Sequence, residues 1–276
     1  MYFVFTPLSD NLEILDPFSS AIRVYDKDGV FIKNISLSSD LLPMGRFTPL
    51  SSDLYIFESS DIYPLESGGY KEDKTSVKVF SVSKKEIIDR IIPLPENAND
   101  LTFTNRMTFI KLGDDMLFCH KFPNNDVFQI DTFAKLTEHY IYDFGKYTFN
   151  VESLPKNQDR SFYKQYDRNN KKDYVFPYTK PENHKYRFCY FGFDDELYIS
   201  RQNKESMHIE VANQKFKNGG WLIPPVYIDD NYLYNKAEPI ELEYMLSKEI
   251  LTEEQQEIIS QIKEDDNPII VRYKIK

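Results

Sequence analysis

Glycine, cysteine and histidine are scarce in this chain, and each shortage closes off a class of chemistry. Nine glycines in 276 residues argue against a backbone loop that cradles phosphate. Neither a Gly-rich phosphate loop nor a Gly-x-Ser-x-Gly nucleophile elbow occurs. The two cysteines, Cys119 and Cys189, have no Cys-x-x-Cys or Cys/His spacing, so zinc is not indicated. They sit in apolar runs beside Phe118 and Phe188 and read as buried free thiols, with a bridge between them as the alternative. The four histidines, His120, His139, His184 and His208, share no ligand spacing. The residues therefore imply no metal and no cofactor. No stretch reaches the roughly 18 to 20 apolar residues that a membrane span needs. Basic residues are in deficit, 34 Lys and Arg against 44 Asp and Glu for a net charge of −10, which argues against nucleic acid as a partner. Met1-Tyr-Phe-Val-Phe-Thr-Pro lacks the basic and long apolar regions of a signal peptide. A cytoplasmic protein is expected if Met1 is the true start.

Aromatic residues are plentiful, with 20 Tyr and 21 Phe, and they favour strands over helices. They gather in a phrase that recurs five times: an apolar strand, a tight acidic turn, a second apolar strand. Its turn aspartates are Asp10, Asp53, Asp115, Asp195 and Asp230. Asp, Asn, Ser and Gly make such turns because they tolerate left-handed backbone or bond their own main chain. In the first unit a second hairpin follows, with Asp28-Gly29 at its turn between Ile22–Asp26 and Val30–Ile35. Four antiparallel strands in a meander make one unit. Units of this kind fall at about 2–37, 45–95, 105–150, 186–218 and 220–276, the last with three strands. An insertion at 151–185 reads as a surface loop. A helix at about 252–264, capped by Thr252 and Gln255, is inserted in the last unit.

Repeated four-stranded units predict an all-β fold, a single β-propeller domain spanning 1–276. The stretch Ile22–Lys33, the pair Asn125–Ile130 and Tyr142–Lys146, and the closing run Glu264–Lys276 carry a resemblance. Through them the chain resembles the six-bladed β-propellers of Bacteroides-type gut bacteria, relatives of TolB-like and NHL-like propellers. The resemblance implies export to the periplasm or cell surface, often as a lipoprotein, and a non-enzymatic binding or scaffold role. It supplies no catalytic residues. About five units are visible where the family has six, which reads as an N-terminally shortened chain with an open ring. The competing reading is an enzyme, a hydrolase or lyase, with polar residues converging on the axial channel.

The ligand, a protein, peptide or glycan, is expected at the insertion. There Arg160, Tyr163, Tyr166, Arg168, Tyr174 and Tyr178 interleave aromatic rings with cations, the composition of binding hot spots. The same rings could instead pack the loop onto the propeller. The acidic turns, Asp26 and Asp28 foremost, have the oxygen ligands calcium takes but lack the further ligands of a calcium loop. Turn formation alone accounts for them.

Overall fold

The computed structural model describes residues 2–6, 11–16, 18–38, 41, 44–59, 62–64, 70–72, 75–93, 108–120, 124–149, 172–215, 220–246 and 251–275. At 2–6, 44–45, 62–64, 70–72 and 243–245 it describes the backbone. The strands form four four-stranded sheets and one three-stranded sheet, with a small side hairpin. Blade 1 is β1 (Tyr2–Thr6), β2 (Asn11–Asp16), β3 (Ala21–Tyr25) and β4 (Phe31–Ser36). Blade 2 is β5 (Met44–Pro49), β6 (Leu54–Ser59), β9 (Thr75–Ser81) and β10 (Glu86–Pro93), with the hairpin β7 (Ile62–Pro64) and β8 (Tyr70–Glu72) inserted after β6. Blade 3 is β11 (Phe109–Leu112), β12 (Asp115–Cys119), β13 (Asp126–Ile130) and β14 (Leu136–Ile141). Blade 4 is β15 (Phe176–Thr179), β16 (Tyr186–Phe193), β17 (Glu196–Asn203) and β18 (Ile209–Asn213). Blade 5 is β19 (Tyr227–Ile228), β20 (Tyr232–Ala237) and β21 (Ile269–Lys274). Every pairing is antiparallel between neighbours in the order first to last. The first strands lie inward, since β1 and β5 touch. The fourth strands β4, β14 and β18 are largely exposed.

The period-two alternation of strands explains how the blades stack. Successive side chains point to opposite faces, so one strand can feed two seams. On β6, Tyr55 and Phe57 join the core between blades 1 and 2, while Ile56 joins the core between blades 2 and 3. On β12, Met116 and Phe118 face blade 2, and Leu117 and Cys119 face blades 4 and 5. Such sheets are buried on both faces, which is why the middle strands read as near-continuous apolar runs.

The turns are closed by the residues that marked them in the sequence. Asp26 Oδ1 accepts the N–H groups of Asp28 and Val30 at 2.9 and 2.8 Å, and Gly29 supplies a φ of 79°. Asp131 repeats the device with Phe133 and Lys135. Turn chemistry thus engages Asp26. Asp53 accepts from Ser83 N–H at 2.7 Å and from the Ser81 hydroxyl at 3.0 Å, and these bonds hold its carboxyl below the usual range. It ties two turns of blade 2 together.

The five units expected in the chain are found as five blades among the described residues. Two other expectations need correction. The segment 151–185 is not all loop: residues from Phe176 onward form β15, the inner strand of blade 4. Pro177, Pro181 and the register break between Pro177 and Thr179 hide it, because proline is a poor signature of a strand interior. The Asp195 turn therefore joins the second and third strands of its blade, not the first and second. The helix is also shorter than expected. It spans Glu253–Ser260 (α2), capped reciprocally by Thr252 and Gln255, and a helix of seven residues precedes it, Pro239–Met245 (α1). Among the described residues no helix is long and apolar enough to cross a membrane.

Candidate functional site

Of the six residues expected to bind a ligand, Arg160, Tyr163, Tyr166 and Arg168 lie outside the described residues. The other two part company. Tyr178, on β15, packs among the core between blades 3, 4 and 5, and its hydroxyl accepts a bond from Gln214 Nε2. Tyr174 lies beside the start of β15 and forms part of the wall of a recess of about 200 Å³ at the outer end of the β16–β17 hairpin.

The recess follows from local geometry. Asp194 and Asp195 have φ of 49° and 62°, the two left-handed residues that a two-residue hairpin turn requires. The turn pairs Phe193 with Glu196 and Gly192 with Leu197. Gly192 offers no side chain, so the strand face between Phe176 and Leu197 is left hollow. The walls are Tyr174, Phe176, Phe193 and Leu197, and the lip carries Asp194, Asp195 and Glu196. The rings are braced from behind. Phe149 meets Tyr174 edge-on at 4.7 Å, and Tyr147 meets Phe193 at 4.8 Å. Lys172 pairs with Asp194 at 3.1 Å, and Asn213 donates to Glu196 at 3.0 Å. An aromatic floor under a lip of carboxylates can receive apolar carbon and a cation together. The sequence missed Phe176 and Phe193 because nothing local marks a hollow that a missing side chain creates.

Two further polar constellations bear on the enzyme reading. At the seam of blades 3 and 4, Lys180 and Glu182 continue the inner strand of blade 4 and are almost completely buried. The Lys180 ammonium donates to the carbonyls of His120 and Asn124 at 3.3 and 3.1 Å. Burial holds its pKa below the ordinary lysine value. Glu182 accepts the Tyr140 hydroxyl, pairs with Lys204, and has Arg187 Nε at 3.4 Å. Arg187 lies 4.0 Å over the Tyr140 ring and donates to Glu138 at 2.7 Å. The group is closed in on itself and works as an inter-blade clamp.

The second constellation sits where the first turns of blades 4 and 5 meet. His184 Nδ1 lies 2.9 and 3.1 Å from the two oxygens of Asp230, and this bond holds the Asp230 carboxyl below its usual range. Asn183 Nδ2 donates to the Asp229 carbonyl at 3.0 Å. His184 Nε2 lies over Gly113 of blade 3, where a Cβ would stand 3.2 Å away. Among the described residues no three His, Cys, Asp or Glu gather to hold a metal. A groove of about 820 Å³ between α1 and α2 is larger than the recess, but it is lined mostly by aliphatic side chains such as Leu242, Leu246 and Ile259. Gln256, Ser260, Lys263 and Glu264 supply its polar part.

The cysteines are free and buried. Burial raises both thiols to about 12, against which nearby Lys180 pulls the other way. Native protein at pH 8 should therefore resist a thiol reagent such as a disulfide dye, and both cysteines should react once the chain is unfolded in urea. Rapid labelling of the native protein would contradict this burial.

Blades of this order, packed face to face around inward first strands, define a β-propeller. The chain belongs to the DUF4934 family, a domain of unknown function whose family model matches residues 1–274. Its fold is similar to that of a proposed exported protein from Bacteroides fragilis, at 14% identity and a TM-score of 0.65, over 100% of this chain and 77% of that one. A DUF4221 family member from Bacteroides vulgatus overlaps less, at 11% identity and a TM-score of 0.45, over 74% of this chain and 64% of that one. At such identity the first likeness speaks to fold alone. No curated protein matches the chain.

Proposed function

We propose that this protein is a non-enzymatic binding propeller of the bacterial cell envelope, with its ligand seated in the blade 4 recess. The observation that carries the reading is the recess itself, lined by Tyr174, Phe176 and Phe193, two of them braced by further rings, beneath three carboxylates at the end of a hairpin. A ligand offering a cation flanked by apolar carbon, such as the Lys or Arg side chain of an extended peptide, meets both the rings and the lip. The likeness to a proposed exported protein and the resemblance to TolB-like and NHL-like propellers support a place outside the cytoplasm. The enzyme reading rests on the His184–Asp230 pair. Both side chains are more than half exposed, and an exposed dyad is a weak basis for catalysis.

The test uses Gly192. It lies in a strand outside the left-handed region, and a Cβ there would meet Leu197 and Glu196 at 3.8 and 3.9 Å, normal contact distances. Gly192→Val therefore sets its Cβ at ordinary contact distance and adds two methyls at the recess. Its thermal midpoint should hold or rise, because a β-branched residue suits a strand better than glycine by up to about 1 kcal/mol. Binding of a lysine- or arginine-bearing peptide, measured by calorimetry, should weaken at least about tenfold. An unchanged affinity in the variant, or no binding by wild type, would reject the recess as the site.

A further inference from the structure

We propose that the blade 4 recess takes an alkyl-trimethylammonium group, the head of free choline or of a trimethylated lysine side chain, in preference to a cation that carries N–H groups. The inference rests on the reading of the recess as the ligand site and narrows its ligand. At about 200 Å³ the recess falls below the roughly 300 Å³ at which pockets begin to enclose a drug-sized ligand. It suits one head group, with the rest of the ligand outside. Its walls are mostly carbon: the rings of Phe176 and Phe193, the Leu197 side chain and the Tyr174 ring, whose hydroxyl is the one side-chain acceptor among them. A lysine ammonium has three donors and no acceptor, and arginine has five. Against such walls those donors lose water without a replacement, which is costly. The carboxylates that could receive them stand at the lip, and two are engaged, Asp194 by Lys172 at 3.1 Å and Glu196 by Asn213 at 3.0 Å. A trimethylammonium has no N–H to satisfy. Its methyls can touch ring carbon while the rings attract its charge.

Electrostatics select a cation over a neutral group of the same shape. The ring cluster already takes one cation: Lys146 Nζ lies 4.8 Å over the Tyr147 ring, which in turn braces Phe193 at an interplanar angle of 65°. Phe149 braces Tyr174 in the same way at 73°. Two wall rings are thus held in their planes before a ligand arrives, so little side-chain freedom is lost on binding. At the lip, Asp194, Asp195 and Glu196 set three carboxylates against the Lys172 ammonium. Their charge acts across several ångströms and needs no hydrogen-bond geometry. The same lip repels a ligand with its own carboxylate or phosphate beside the ammonium, such as betaine or a phosphocholine head. The ligand left is a quaternary cation on a neutral chain.

Calorimetry on the full chain tests this with two matched pairs of probes. Choline should bind at least about tenfold more tightly than its neutral tert-butyl analogue, in which carbon replaces the charged nitrogen. A peptide with one trimethylated lysine should bind at least about tenfold more tightly than the unmodified peptide. Phe193→Leu keeps an apolar wall and removes a ring, so both preferences should shrink to about twofold. Asp195→Asn keeps a residue that tolerates the left-handed φ of 62°. It removes one lip charge and should weaken choline severalfold while leaving the neutral analogue unchanged. A preference in the choline pair alone identifies a free amine as the ligand, and one in the peptide pair alone identifies a methylated protein. No preference in either pair, or a full preference retained in Phe193→Leu, would overturn the proposal. If the unmodified peptide then still binds, and Gly192→Val still weakens it, the recess stands as the ligand site and only its chemistry is misassigned. No binding by any of the four probes removes both readings.

Discussion

Glu182→Ala should destabilise the protein by about 3–5 kcal/mol, measured by urea unfolding. The carboxylate is almost wholly buried and is shared by Tyr140, Lys204 and Arg187. Removing it leaves Lys204 facing the seam without its counter-charge and Arg187 with Glu138 alone, and an unpaired partner is what makes such deletions costly. Lys180→Met is the informative control. Lys180 has two carbonyl partners, and its burial already disfavours the charged form. Replacing it by an apolar chain of similar length relieves that cost while giving up two hydrogen bonds, so its effect should be less than half of the Glu182 effect. A Glu182→Ala loss below about 1 kcal/mol would mean that the clamp does not hold the seam.

Phe57→Ala should cost a similar amount, about 3–5 kcal/mol. Phe57 is fully buried in the seam of blades 1 and 2. It stacks on Phe47 with centroids 5.8 Å apart and meets Phe80 edge-on at 6.2 Å. The single tryptophan, Trp221, lies in the connection from blade 4 to blade 5, bridged to Lys215. If the blades unfold as a unit, Trp221 fluorescence should report the full loss although the change is in blade 2. If its transition stays at the wild-type midpoint while circular dichroism shows an early step, the blades unfold separately.

The turns and the alternating strands were legible because each is a local matter. Asp26-Lys-Asp-Gly29 closes its hairpin by the bonds its residue types suggest, and the Thr252–Gln255 box caps α2 as its spacing implies. The start of blade 4 was not legible, since Phe176–Thr179 contains a proline and follows a polar stretch. Helix α1 was missed for a different reason. It has seven residues, and its box is made by Glu238 and Glu241 around Pro239, a pairing less distinctive than Thr with Gln. The Lys180–Glu182 clamp breaks the rule that such residues stay outside, so composition points away from it. At the recess, the sequence singled out Tyr174 from its neighbours in a Tyr-rich run. The decisive residue is Gly192, whose contribution is empty space.

Each sheet is drawn from one contiguous stretch of chain, in order from the axis outward. During synthesis a blade can therefore close as soon as its own strands have emerged, with no wait for distant sequence. Its forward face cannot be satisfied so early. Blade 2 must hold Ile56, Val77 and Val79 open until Met116 and Phe118 arrive to cover them. A nascent chain thus always presents one sticky face, renewed with each blade. A stop codon or protease cut between blades would leave that face bare for good, so fragments ending at blade boundaries should be the aggregation-prone ones even though every sheet in them is whole.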